Sequence, residues 1–165
     1  MLLLDPGMTI AQEIAQSMGN DWLPVIYEDK VRGLRTRSYE FDDIPARENR
    51  AEIQYTLLGI ELKVGKLRMA CPDLSTARYL RVFARIGCKS VAVPYDVSSI
   101  PGLADELEYS WQKTLLNVSE NTKGRSQAAR ARSRSLVIGA IRDEIESIGA
   151  GDKMPLFKTS TRQRR

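Results

Sequence analysis

Alternating apolar and polar residues predict a β-hairpin over residues 58–71. Every second side chain is apolar on both sides of a short turn, as in strands with one buried face. We expect Val64 and Gly65 to form the centre of the turn. That register places Glu61 opposite Arg68, which is a favourable cross-strand pair.

A helix from Leu74 to Ile86 is predicted next. Its apolar residues recur at helical spacing, Asp73 precedes it as an N-cap, and Gly87 follows where helices often end. Residues 88–93 then have the composition of a short buried strand. Because strand, helix and strand follow one another so closely, we expect a right-handed βαβ crossover.

Periodicity elsewhere predicts further helices and strands. They are a helix opened by a capping box of Thr9 and Gln12, a strand at Trp22–Tyr27, a strand within 31–41, a loop over 42–51, a strand restarting at Ile53, a helix over 103–118 and a last helix over 124–149. The fold class predicted is therefore α+β. A single domain is expected, with a mixed sheet, a β-hairpin, one βαβ crossover, and helices packed on the sheet.

Charge divides the chain into two parts. Residues 1–122 contain 14 Lys and Arg against 17 Asp and Glu, whereas residues 123–165 contain 11 against 4. The net charges are −3 and +7. We predict a core domain over 1–122 and a basic helical extension with a flexible tail over 123–165.

Hydropathy indicates neither a membrane span nor a secretory signal. The apolar start Met1–Leu4 is ended at once by Asp5–Gly7 and lacks the basic residues of a signal peptide. A cytoplasmic location is the resulting expectation. We interpret Cys71 and Cys88 as reduced core thiols.

Several kinds of catalytic site are excluded by composition. The chain has no histidine, which rules out catalysis by Ser-His-Asp or Cys-His groups. It has neither a GxxxxGK[ST] phosphate loop nor a GxGxxG turn. No cofactor and no metal are predicted.

One alternative is catalytic. Glu61-Leu62-Lys63 forms an E-x-K motif on one strand face, and an upstream acid, Asp42 or Asp43, lies in a predicted loop. The order of helix, strands, motif, helix and strand resembles the PD-(D/E)xK nuclease arrangement. That resemblance implies that Asp43 and Glu61 hold Mg²⁺ and that Lys63 orients water. The competing interpretation is an exposed strand face on which Glu61 pairs with Arg68.

The basic extension is the main candidate site for a partner. Its candidate residues are Lys123, Arg125, Arg130, Arg132, Arg134, Phe157, Arg162, Arg164 and Arg165. The first five have no acidic residue among them, a pattern that suits a nucleic-acid backbone or an acidic protein. The apolar stripe of the last helix turns basic at Arg134 and Arg130, so this half either projects from the core or meets an acidic surface.

Two further features suggest protein contacts or solvent exposure. Met154–Phe157 is a small apolar patch in a polar tail, of a kind that inserts into a partner's groove or folds back on its own core. We interpret Arg78, Arg81 and Arg85, which line one side of the predicted helix Leu74–Ile86, as a solvated face. The predicted function is non-catalytic binding or assembly, with a protein complex or nucleic acid as partner.

Overall fold

A computed structural model describes residues 9–152, which form five α-helices and five β-strands. The helices are α1 (Ile10–Met18), α2 (Leu23–Ile26), α3 (Leu74–Ile86), α4 (Ile100–Asn121) and α5 (Gln127–Ile148). The strands are β1 (Thr36–Glu40), β2 (Ala51–Thr56), β3 (Gly59–Val64), β4 (Leu67–Cys71) and β5 (Ser90–Pro94). Short 3₁₀ turns at Gly19–Asp21 and Val97–Ser99 and a π-helical turn at Tyr27–Val31 complete the elements.

The strands form two antiparallel sheets, β1–β5 and β2–β3–β4. The α+β class and the hairpin are confirmed, but the predicted mixed sheet and βαβ crossover are wrong, because β4 and β5 lie in different sheets.

Two tyrosine hydroxyls occupy the edge of β5 that faces away from β1. Tyr79 donates to the carbonyl of Ala92 at 2.6 Å, and the amide of Ala92 donates to the hydroxyl of Tyr27 at 2.9 Å. The second edge of β5 therefore bonds to side chains.

The β3–β4 hairpin turns one residue later than predicted. Val64 pairs with Leu67 across Gly65 and Lys66, and Gly65 has a φ of 61°. Each residue of β3 therefore pairs with a residue of β4 two positions further along the chain than predicted. A shift of two keeps each side chain on its predicted face of the sheet. Glu61 and Arg68 are consequently diagonal neighbours rather than direct ones, with 3.5 Å between their charged atoms.

The predicted strand Trp22–Tyr27 is instead helical, as α2 and the start of the π-helical turn. Trp22, Leu23, Ile26 and Tyr27 are all buried. These residues are at positions i, i+1, i+4 and i+5, which lie on one face of a helix. Pro24 lies in the first turn of α2, where the missing amide has no intrahelical partner.

Helix α3 has the predicted bounds because its end signals are local. The Asp73 carboxylate accepts from the amide of Thr76 at 2.7 Å, and Gly87 ends the helix with a φ of 90°. The buried face of α3 contacts β2 and β3, and the helix also contacts α4. Cys71 and Cys88 are free and buried, as predicted.

Helix α5 is part of the hydrophobic core although it belongs to the basic extension. Val137, Ile138, Ile141 and Ile145 are each no more than 1% exposed. The boundary drawn at residue 122 thus follows charge rather than packing, and it stays a prediction. The tail candidates lie outside the described residues; they are Met154–Phe157, Arg162, Arg164 and Arg165.

Candidate functional site

The turn between α4 and α5 carries the first two basic candidates. Thr122 is buried at the end of α4, where its hydroxyl donates to the carbonyl of Val118 at 2.8 Å. Ser126 caps α5 by accepting from the amide of Ala129 at 3.2 Å. Lys123 and Arg125 lie between these two anchors and are exposed. They are therefore presented to solvent from a turn fixed at both ends.

The basic residues on α5 divide into two groups. Arg132 is exposed. Arg130 leans on α4, where it donates to the hydroxyl of Ser119 at 3.0 Å and to that of Thr122 at 3.4 Å. One candidate on α5 thus points to solvent while Arg130 is held to its own fold.

Arg134 contacts an acidic residue. Of the two arrangements expected for this half of α5, projection from the core or contact with an acidic surface, Arg134 has the second. Its guanidinium forms two hydrogen bonds with the Glu48 carboxylate, from Nε to Oε1 at 2.8 Å and from Nη2 to Oε2 at 2.5 Å. These hydrogen bonds raise the pKa of Arg134. Arg134 is therefore partly neutralised within the molecule.

The loop that carries Glu48 is attached to the end of α3 by Asn49. The amide of Asn49 donates to the carbonyl of Arg85 at 3.0 Å, and its side chain donates to the carbonyl of Ala84 at 3.2 Å. Arg142 of α5 donates to the next carbonyl, that of Ile86, at 3.0 Å. The carbonyls of Arg85 and Ile86 belong to the last turn of α3, which leaves them without intrahelical partners, and these contacts satisfy them. They also fix the loop between α3 and α5.

A pocket of about 340 Å³ opens beside this loop, and we call it the arginine pocket. Arg50, Arg85 and Arg134 line it together with Glu48 and Glu52. A groove of about 240 Å³ between α4 and α5 shares Arg134 with it and adds Arg130. Sequence reasoning missed Arg50 and did not place Arg85 at a site.

The predicted solvated face of α3 is instead packed on α4. Arg78 donates to Glu108 at 2.6 Å and to Asp105 at 2.5 Å, and Arg81 donates to Glu108 at 3.1 Å. Only about a quarter of each arginine side chain is exposed. Arg85 continues the row into the arginine pocket. Asp105 and Glu108, spaced three residues apart on α4 as Arg78 and Arg81 are on α3, are the sequence feature that could have indicated a structural role for the two arginines.

The nuclease candidates lie on two different elements. Glu61 and Lys63 are on β3, where Lys63 is opposite Glu52 on one side and Arg68 on the other. Asp43 lies in the loop before β2 with a φ of 61°. Within residues 9–152, no group of three or more His, Cys, Asp or Glu side chains is placed to hold a metal ion. The nuclease hypothesis stays an untested prediction.

Comparison with protein-family models, with curated proteins and with solved structures found no match. Of the helices between residues 9 and 152, none is both long and apolar enough to cross a bilayer. The most distinctive chemistry of the described surface is the stretch 121–142, which contains six Lys and Arg and no Asp or Glu.

Proposed function

We propose that this protein is a non-catalytic binding protein whose basic α4–α5 surface contacts an anionic macromolecular partner. The observation that carries the proposal is the joint exposure of Lys123, Arg125 and Arg132 in a stretch without acidic residues. The partner is a nucleic acid or an acidic face of a protein complex. The cytoplasmic location expected from the sequence belongs to the same proposal.

Exposed cations on a fixed support suit this role. Lys123 and Arg125 keep most of their hydration in the free protein, so they need little rearrangement to approach an anion. Their summed field attracts a polyanion over about a Debye length, roughly 8–10 Å at physiological salt. Such a contact is expected to be fast to form and sensitive to ionic strength.

Deletion of residues 123–165 is a poor test, because it removes the four core residues of α5. Charge neutralisation is sharper. We would replace Lys123, Arg125 and Arg132 by Gln and measure binding to a fluorescent DNA duplex and to poly-glutamate by anisotropy over a range of salt. A control of equal net charge replaces Lys30, Arg37 and Lys89, which are exposed elsewhere.

The unaltered protein should bind one of the two polyanions, with an affinity that falls as salt rises. In the triple variant, the log–log salt slope should become shallower by about 0.9 for each duplex phosphate that the protein no longer neutralises. The control should bind like the unaltered protein. Absence of binding to both polyanions, or equal losses in the two triple variants, would contradict the proposal.

A further inference from the structure

We propose that the arginine pocket binds a phosphate of a nucleic-acid backbone. This inference rests on the proposed function and selects nucleic acid as the partner. The pocket extends the contact surface from α5 across the loop to the start of β2. It adds two residues, Arg50 and Arg85, that lie outside the basic extension.

Arg85 differs from the other arginines of its row. Arg78 and Arg81 are held by carboxylates of α4, whereas position 112, one turn beyond Glu108, is a glutamine. The guanidinium of Arg85 donates to the backbone carbonyl of Ala51 at 3.1 Å. Among the described residues, no carboxylate lies within 4.0 Å of it. Its remaining donors are therefore available to an anion in the pocket.

Burial makes an anion favourable at this position. Desolvation is the largest effect on the pKa of Arg85 and lowers it, and the nearby charge of Arg81 lowers it further. The carboxylates of Glu108, Glu52 and Glu48 raise it, but the pKa stays below its usual value. An anion in the pocket would offset the remaining cost of the charged guanidinium, which binds a phosphate through two parallel hydrogen bonds.

Two adjoining cavities continue the pocket into a row of three. Arg134 joins the arginine pocket to the α4–α5 groove, and Arg50 and Glu52 join it to a cavity of about 240 Å³ that includes Lys63. The cations along the row are Arg130, Arg134, Arg85, Arg50 and Lys63. Five cations face two carboxylates, those of Glu48 and Glu52.

The extent of this row favours a polymer over a small anion. A single phosphate or carboxylate fills one cavity, whereas a nucleic-acid backbone repeats its charge at regular intervals and meets successive cations. An acidic peptide also carries repeated charge, but its carboxylates are at the ends of flexible side chains, whereas the phosphates are part of the nucleic-acid chain itself. We therefore assign the row to a phosphate backbone and treat an acidic peptide as an outcome of the test.

The test compares Arg50→Gln, Arg85→Gln and Arg85→Lys with Arg37→Gln, an exposed arginine on the other sheet. Ligands are a fluorescent single-stranded oligonucleotide, a duplex, poly-glutamate and, as competitors, inorganic phosphate and a mononucleotide. Urea unfolding of each variant identifies loss of binding caused by loss of fold. Arg50 is exposed, so its variant tests the pocket even where Arg85→Gln is destabilised.

Arg50→Gln and Arg85→Gln should each weaken oligonucleotide binding about tenfold, the size expected for one charge-assisted hydrogen bond. Arg85→Lys should recover only part of the loss, and Arg37→Gln should change nothing. Retained binding in both pocket variants, alongside abolished binding in the Lys123, Arg125 and Arg132 variant, overturns the inference and leaves the proposed function.

Two other results also overturn it. If poly-glutamate alone depends on the pocket, the partner is an acidic protein and only the proposed function survives. If the mononucleotide or inorganic phosphate binds as tightly as the oligonucleotide, the pocket is a site for a free phosphate group. Failure of every polyanion to bind the unaltered protein rejects the inference and the proposed function together.

Discussion

Arg134 and Glu48, 86 positions apart in the chain, form a two-bond ion pair that ties α5 to the loop before β2. The pair has two consequences. It closes one side of the arginine pocket, and it places a carboxylate where an anionic partner would otherwise meet Arg134. The same ion pair therefore supports the fold and reduces the charge of the proposed binding surface.

Removing the Glu48 charge should strengthen binding to a polyanion. Glu48→Gln frees Arg134 and deletes a repulsive charge from the pocket. Both side chains are more than a third exposed, at 42% for Arg134 and 34% for Glu48. Solvent screening therefore limits the effect to about 1 kcal/mol, or roughly fivefold in affinity. Anisotropy at low salt measures it.

Glu28→Gln is the matched control, because Glu28 is exposed on the π-helical turn. It makes the same change in net charge away from the surface. Equal effects of the two substitutions would mean that only net charge matters. Weaker binding in Glu48→Gln would mean that the ion pair positions the site and that the proposed competition is absent.

Asn49 should contribute more to stability than a typical loop residue. Asn49→Ala removes the side-chain hydrogen bond to the carbonyl of Ala84 and loosens the loop at the end of α3. We expect the free energy of unfolding to fall by about 1–3 kcal/mol. Asn121→Ala is the control, since Asn121 is exposed and, among residues 9–152, its side chain bonds within α4, to the carbonyl of Asn117. Its effect should stay within about 0.5 kcal/mol in urea unfolding.

Gly87 is required for both its backbone conformation and its space. Its φ is 90°, and a Cβ there would lie 2.3 Å from the carbonyl oxygen of Arg47. Gly124 has a similar φ of 86° with nothing within 4 Å of its Cβ position. Alanine at Gly124 should cost about 1–2 kcal/mol for the left-handed conformation alone.

Alanine at Gly87 should cost about 1–3 kcal/mol more than alanine at Gly124, because the backbone of Arg47 must move. It should also weaken polyanion binding, since that movement displaces the loop that carries Arg50. Equal unfolding free energies for the two alanine variants would show that the loop yields without strain.

Alkaline pH should destabilise the protein partly through Cys88. Burial raises the pKa of this thiol from 9.0 to about 12. Because the folded value exceeds the unfolded one, the contribution of the thiol to stability is complete below pH 9 and is lost as the pH rises toward 12. The slope for one such group approaches about 1.4 kcal/mol per pH unit.

Urea unfolding between about pH 8 and pH 11 measures this loss. Burial also raises the pKa values of Tyr27 and Tyr79, so part of the loss remains in any cysteine variant. Cys88→Ala should lose less stability over this interval than the unaltered protein. Parallel curves for the two proteins would show that the thiol does not ionise on unfolding in this range.

Local signals explain which elements the sequence predicts well. Asp73 and Gly87 mark both ends of α3 by interactions with the nearest turn, so α3 appears with its predicted bounds. The second edge of β5 is instead occupied by the hydroxyl of Tyr79, 13 positions from Ala92, and by that of Tyr27, 65 positions from it. No local pattern carries that information, and the predicted crossover fails for this reason.

The candidate site divides in the same way. An acid-free stretch makes Lys123, Arg125 and Arg132 visible in the sequence. Arg50 and Arg85 are separated by 35 positions, and they come together because Asn49 attaches the loop to α3 and Arg85 donates to the carbonyl of Ala51. Their convergence is a property of tertiary structure, and the sequence alone could not indicate it.

The most direct test of the proposed binding surface is a titration of the ¹⁵N-labelled full chain with a short duplex and, separately, with poly-glutamate, followed by backbone amide shifts at low salt. We predict that one of the two ligands shifts residues 123–134, and that added salt reverses these shifts. The arginine-pocket inference further predicts that the duplex also shifts Arg50 and Arg85. Shifts confined to the β1–β5 sheet, or none with either ligand, would contradict the account.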